Sequence, residues 1–210
     1  MIEIENINLT LQKTEILKNV TVSFERGKIH GLIGRNGSGK TMLMKCICGF
    51  VNPTSGVIKV DNKQIGKDCD FPESVGIIIE TPGFIPYYSG LKNLKLLAGL
   101  RGKITVDDIR NTMQKVGLEP DLKRHVGKYS LGMRQRLGLA QAIMEDPELL
   151  ILDEPMNGLD KDGVKDMRQY LLDLKSQGKT ILIASHSAED IDVLCDTVCE
   201  MDKGVLSKVR

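Results

Sequence analysis

Residues Gly34-Arg35-Asn36-Gly37-Ser38-Gly39-Lys40-Thr41 carry the spacing G-x-x-x-x-G-K-[ST] between an apolar run, Ile29 to Ile33, and an amphipathic stretch. That context suits phosphate binding: the glycines let successive N–H groups turn inward, and the helix that follows adds its positive dipole end. Lys40 is placed to reach β- and γ-phosphates, and the Thr41 hydroxyl to ligate Mg²⁺. A second apolar run, Leu149 to Leu152, ends in two adjacent carboxylates, Asp153 and Glu154. One can hold the metal shell while the other orients or deprotonates water. Two acids there favour hydrolysis over transfer to an acceptor, because a small-molecule kinase has no need to activate water. A third run, Thr180 to Ala184, is followed by Ser185 and His186, whose imidazole can bond a γ-phosphate or the attacking water. A surface or helix-capping role for His186 stays open at this point, and His30 and His125 are assigned no role.

Positioning these groups together requires an α/β fold. The runs Ile29–Ile33, 75–79, 149–152 and Thr180–Ala184 are nearly continuous, as expected of parallel strands covered by helices on both faces. In such sheets a site forms beyond the carboxyl ends of the strands. Alternating segments around Ile2 to Leu11, Val20 to Phe24 and Val57 to Val60 read instead as an antiparallel flank with one solvated side. The spacing predicts helices over 40–48, 91–100, 106–116, 130–144, 162–177 and 188–196. Residues 85–134 hold helices and turns without a buried strand. A single domain of residues 1–210 is therefore expected, with a core of 1–84 and 135–210 and a helical subdomain of 85–134.

Composition sets the class. With 210 residues, 41% hydrophobic and 27% charged, the chain is long enough for its own core and is neither disordered nor fibrous. Lys+Arg (29) against Asp+Glu (28) leaves +1, which argues against nucleic acid as a partner. No apolar stretch is long enough to span a bilayer, and the start, Met1 to Asn6, is acidic where a secretion signal is basic. The five cysteines lack paired C-x-x-C spacing, so a reduced set in the cytosol is expected.

Together these residues resemble the ATP-binding cassette (ABC) family, specifically the ATP-binding subunit of a transporter. The resemblance spans nearly the whole chain in family order. The phosphate loop Gly34 to Thr41 is followed by a signature-like Tyr129-Ser130-Leu131-Gly132-Met133. The acidic strand end Asp153-Glu154, a D-loop-like turn Asn157-Gly158-Leu159-Asp160 and the switch His186 complete the series. The resemblance implies a P-loop NTPase fold with a mostly parallel sheet. ATP and Mg²⁺ are the implied cofactors, with Glu154, His186 and Lys40 in catalysis, and Thr41, Asp153 and Glu80 at the metal. It also implies a second copy of the subunit paired head to tail, so that Ser130, Gly132 and Asp160 meet the other copy's nucleotide. A separate transmembrane permease would hold the chain at the inner face of the membrane.

The departures are specific. Leu131 and Met133 stand where the family signature has Gly and Gln, and Glu80 stands where its Q-loop has glutamine. The position near Leu11 lacks the adenine-stacking aromatic, which leaves ATP against GTP open. Glu80 with Tyr-Ser-Leu-Gly-Met resembles the branch that exports bacitracin and lantibiotic peptides or confers self-immunity to them. Phe84, Tyr87 and Tyr88, in a loop with Pro82, Gly83 and Pro86, are either packed under the helical insertion or part of the permease socket. An ABC module with little turnover and a soluble non-transport P-loop ATPase remain alternatives. The segment from Thr41 to Ser130 is too short to hold the coiled-coil arms of chromosome-associated relatives.

Overall fold

A computed structural model describes residues 1–80 and 83–210. In chain order the elements are β1 (Ile2–Leu11), β2 (Thr14–Phe24), β3 (Ile29–Ile33), α1 (Lys40–Ile47), β4 (Ser55–Val60), β5 (Lys63–Gln64) and β6 (Val75–Ile78). There follow α2 (Gly90–Arg101), α3 (Val106–Lys115), a 3₁₀ turn (Val126–Lys128), α4 (Leu131–Ile143), β7 (Leu149–Asp153) and α5 (Lys161–Ser176). The chain finishes with β8 (Thr180–Ala184), α6 (Ala188–Leu194), β9 (Thr197–Asp202) and β10 (Val205–Lys208). Two sheets form, one antiparallel in the order β2-β1-β4-β5, the other β10-β9-β3-β8-β7-β6. In the larger sheet β9-β3-β8-β7-β6 are parallel, and β10 closes one edge as a hairpin.

The continuous apolar strands are buried on both sides because successive residues enter different cores. Leu150 and Leu152 of β7, with Ile181 and Ile183 of β8, pack toward Leu137 of α4, Leu171 of α5 and Leu194 of α6. Leu149, Ile151, Leu182 and Ala184 face the other way, toward Leu43 and Met44 of α1 and Ile4, Leu9 and Phe24 of the small sheet. The second cover is thus α1 together with the antiparallel flank, where the sequence suggested helices alone. Each fully buried Leu or Ile contributes roughly 1.5–3 kcal/mol.

The flank explains a phase slip in the letters. Ile2 and Ile4 share a face, yet the next buried residue is Ile7, three positions on; the strand resets through a register shift between Ile4 and Ile7, with Asn6 left-handed at φ 51°. A further register shift between Leu9 and Thr10 precedes Leu11, which falls outside the buried stripe and is 42% exposed.

Ser89, Thr105, Ser130, Asp160 and Ser187 each cap a helix, accepting from the backbone N–H three residues on. Helix bounds differ from expectation by a residue or two. The largest difference is α6, which ends at Leu194 rather than residue 196. Cys195 turns extended, and the Asp196 carboxylate is drawn off to the Ile29 N–H at 2.9 Å and to Lys175. Among the described residues no strand lies between Ile78 and Leu149, and α4 runs through position 134 without a break. Among the described residues no helix is long and apolar enough to cross a membrane.

The one buried histidine away from the strand ends, His30, is a structural bridge. Its Nε2 lies 2.8 Å from the Glu25 carbonyl, which can only accept, so Nε2 donates and Nδ1 accepts from the Thr197 hydroxyl at 2.7 Å. Cys46, Cys48, Cys195 and Cys199 are buried free thiols and Cys69 is half-buried. Burial pushes Cys46 up to about 11, Cys48 and Cys195 up to about 12, and Cys199 upward as well. Titration with a disulfide reagent at neutral pH should therefore consume one thiol in the native protein and five after denaturation. Rapid native reaction of more than one would contradict this packing.

Candidate functional site

Four parallel strands deliver their carboxyl ends to one edge of the sheet, and each carries a group singled out in the sequence. β3 runs into the phosphate loop, β7 ends at Asp153 and Glu154, β8 at Ser185 and His186, and β6 two residues before Glu80. Glycine is required at Gly34, where φ is +138° and a Cβ would stand 2.2 Å from the Met201 carbonyl oxygen. The loop is tied beneath by the Gly204 N–H donating to the Ser38 carbonyl at 2.9 Å. That brace comes from the β9–β10 hairpin, which the sequence reading did not identify. The two-residue Lys203-Gly204 turn, both at positive φ, was its available signal.

Lys40 is almost wholly buried, and its Nζ donates to the carbonyls of Gly34 at 2.6 Å and Arg35 at 3.2 Å, curling the loop around itself. The Ser38 hydroxyl is buried with no protein partner, an unsatisfied polar atom of the kind an anion oxygen would engage. Asn36 and Gly37 through Thr41 border a cleft of about 580 Å³, together with Glu80, Asp153 and Glu154. That volume accommodates a nucleotide-sized molecule.

The Thr41 hydroxyl donates to Asp153 Oδ2 at 2.6 Å across the cleft floor. A hydroxyl and a carboxylate side by side supply two of the six oxygens of a hard-cation shell, which phosphate oxygens and water would complete for Mg²⁺. Among the described residues no three His, Cys, Asp or Glu side chains cluster as a ready metal cage, so these two residues and the phosphates would have to hold it. Glu80 borders the same cleft, but its backbone is left-handed at φ 59° and its Oε1 accepts from Lys45 of α1 at 2.6 Å. The sequence reading placed Glu80 at the metal and did not anticipate this lysine, which lies one helical turn beyond Thr41.

Glu154 is held in a left-handed conformation, φ 50°, by its N–H donating to the Ala184 carbonyl of β8 at 2.9 Å. This turn aims its carboxylate at the next strand end, where Oε2 lies 2.7 Å from His186 Nδ1. A carboxylate there accepts, so Nδ1 carries the hydrogen and Nε2 is left on the solvent side of a side chain 72% exposed. Gln135 was missed by the sequence reading: buried on α4, it donates to the Glu154 carbonyl at 3.2 Å, so the signature helix touches the acidic strand end directly.

Ser130 caps α4, its Oγ accepting from the Met133 N–H at 3.2 Å. Its hydroxyl hydrogen is not used in that bond, so it can still donate. Leu131 and Arg134 border the cleft of their own chain. Asp160 caps α5 by accepting from the Gly163 N–H at 3.0 Å. Leu11 does not border the cleft; Ile16 of β2 does, so the apolar side chain nearest the phosphate loop on that flank is aliphatic.

Comparison with known proteins follows the same lines. Residues 17–157 match the family described as ABC transporter. The chain is 46% identical over 206 residues to an uncharacterized ABC transporter ATP-binding protein, YybJ, of Bacillus subtilis, covering 98% of this chain and 94% of that one. It is 40% identical over 208 residues to the bacitracin transport ATP-binding protein BcrA of Enterococcus faecalis, covering 98% of this chain and 68% of the relative. The lantibiotic transport ATP-binding protein SrtF of Streptococcus pyogenes is 38% identical over 198 residues, 94% of this chain and 85% of its own. Among solved structures, a dimeric ATP-binding cassette in a post-hydrolysis state with ADP and Pi superposes with a TM-score of 0.89 at 22% identity, over 100% of this chain and 99% of that one. An ATP-binding subunit of an ABC transporter superposes at 0.88 with 25% identity, over 100% and 89%. The chain belongs to the ABC transporter family, as one of its ATP-binding subunits.

Proposed function

We propose that this chain is the ATP-hydrolysing motor of an exporter or self-immunity system for peptide antibiotics, working on a separate membrane permease. The observation that carries the reading is the 2.7 Å pair of Glu154 and His186, whose Glu154 borders the same cleft as the Thr41–Asp153 pair. The phosphate loop binds the ATP phosphates through its inward N–H groups and Lys40. Thr41 and Asp153 would hold Mg²⁺, which when bound would supply charge neutralisation to the phosphates; Glu80 adds a carboxylate at the cleft wall under the restraint of Lys45. Glu154 takes the proton of the attacking water at its carboxylate, and His186 holds that carboxylate in place and senses the γ-phosphate through Nε2.

Two copies close on ATP, each offering the exposed amino end of α4 to the other's phosphates. Ser130 donates its free hydroxyl hydrogen there, Gly132 lets the backbone approach, and Asp160 keeps the adjoining turn folded. This arrangement is supported by the dimeric state of the structurally similar cassettes. Peptide-antibiotic cargo is supported by the bacitracin and lantibiotic transport named for two relatives. The permease would hold this chain at the inner face of the membrane. Tyr87 is 66% exposed beside Tyr88, their rings edge to face at 5.3 Å, while Phe84 turns inward against the helices; Tyr87 therefore serves the permease socket and Phe84 the core. Pro82 of the same loop lies outside the described residues.

The test is the light-scattering mass of Glu154→Gln with and without Mg-ATP. Doubling of the 23.2 kDa mass only with nucleotide is expected. A monomer that binds ATP tightly and stays a monomer would overturn the ATP-closed pair of identical subunits.

A further inference from the structure

His186 has little packing around its ring, so its position must come from the backbone that carries it. That backbone is short: β8 ends at Ala184, α6 begins at Ala188, and Ser185, His186 and Ser187 make the whole connection. Both serines are tied. The Ser185 hydroxyl is buried, donates to Asp190 Oδ2 at 3.3 Å and accepts from the Ser187 N–H at 3.1 Å. The Ser187 hydroxyl accepts from the Asp190 N–H at 3.3 Å.

Asp190 is therefore the hub of the loop, and it is only 3% exposed. A carboxylate this deep is costly unless paired. Its partner comes from another element: Arg168 of α5 donates to Asp190 Oδ1 through Nε at 2.8 Å and Nη2 at 2.5 Å. The remaining arm, Nη1, donates to Glu189 Oε1 at 2.8 Å. The guanidinium thus clamps the first turn of α6 from α5, while Asp190 keeps its second oxygen for the loop beside His186. An apolar pair would fill the same space but could not hold Ser185.

The clamp also connects the loop to the far side of the site. α5 is capped by Asp160, and the turn before that cap carries Gly158, whose carbonyl lies so close to Gly132 of α4 that a Cβ there would stand 2.8 Å away. One helix thus begins against the amino end of α4 and, two turns later, grips the loop that carries His186.

We propose that Arg168 and Asp190 are positioning residues for hydrolysis, holding the Ser185–Ser187 loop so that His186 Nδ1 meets Glu154. The proposal rests on the reading of Glu154 and His186 as the hydrolytic pair. The experiment is ATPase kinetics of Arg168→Gln and Arg168→Lys, each alone and combined with His186→Ala. Arg168→Gln is expected to lower kcat about tenfold, with the KM for ATP changed less than about twofold, because misplacement harms the reacting geometry rather than phosphate binding. Arg168→Lys, keeping a charge for Asp190, should recover part of the loss. In the His186→Ala background Arg168→Gln should cost less than about twofold further, since the residue it positions is gone. Should Arg168→Gln fail to fold, Arg168→Met with Asp190→Leu removes the buried charge and the loop anchor together, and the same losses are expected. A kcat unchanged in Arg168→Gln, or losses that multiply in full with His186→Ala, would overturn the proposal. Full turnover in His186→Ala alone would instead overturn the hydrolytic pair itself.

Discussion

Glu154→Gln is expected to lower steady-state phosphate release by about 10³-fold while Mg-ATP affinity stays within about threefold of the parent protein, general base catalysis contributing typically 10²–10⁴. The substitution nearly conserves shape, and an amide oxygen still accepts from His186 Nδ1, so the 2.7 Å contact and the left-handed backbone at Glu154 are not disturbed. What disappears is the lone group at this strand end able to take a proton from water while its neighbour Asp153 is engaged by Thr41. The phosphate loop lies on β3, two strands away in the sheet order β3-β8-β7, so binding is left alone. A coupled phosphate-release assay and a fluorescent-nucleotide titration read the two quantities separately. Undiminished turnover would remove Glu154 from the base role, and loss of affinity would show that its carboxylate belongs to the binding shell.

Lys40→Ala should do the reverse. Hydrogen bonds to a charged group net about 1.5–3 kcal/mol each, so losing an ammonium on the phosphates should weaken ATP binding roughly ten- to a hundredfold. Two further interactions go with it, the bonds from Nζ to the Gly34 and Arg35 carbonyls that curl the loop. Arginine is no substitute, because a planar fork cannot enter the nearly closed space that the ammonium occupies. The same titration decides the matter: full affinity in Lys40→Ala would contradict the placement of this lysine on phosphate. A modest fall in melting temperature should accompany the loss, because the Gly34 and Arg35 carbonyls lose their donor while both hydrophobic cores are left as they were.

The sequence carried the site further than the fold around it. Lys40, Thr41, Asp153, Glu154 and His186 could be placed together from the letters because each follows a short apolar run, and parallel strands send their carboxyl ends to one edge. Contacts between elements were beyond reach. Nothing in the spacing of Lys45 and Glu80, or of Gln135 and Glu154, says that these residues meet, because each pair is joined only by the packing of α1 or α4 on the sheet. Nor does the spacing of Arg168 and Asp190, on two separate helices, say that they pair or that Asp190 is buried. The β9 strand, Thr-Val-Cys-Glu-Met-Asp, mixes charges into its apolar residues because Glu200 and Asp202 on one face are exposed while Cys199 and Met201 on the other are in the core. Its periodicity is therefore weak, although the turn that follows it is a clear hairpin signal.

That hairpin has a bearing on the order in which the protein comes to life. The glycine-rich loop leaves the ribosome well before the backbone against which it is bent, Met201 beside Gly34 and Gly204 beneath Ser38. Closing contacts of such sequence separation is slow and cannot begin before both ends exist. A nascent chain therefore carries the phosphate-binding letters without the brace that bends them until β9 and β10 have been made. The loop thus takes its bent shape only once the hairpin that braces it has been laid against the sheet.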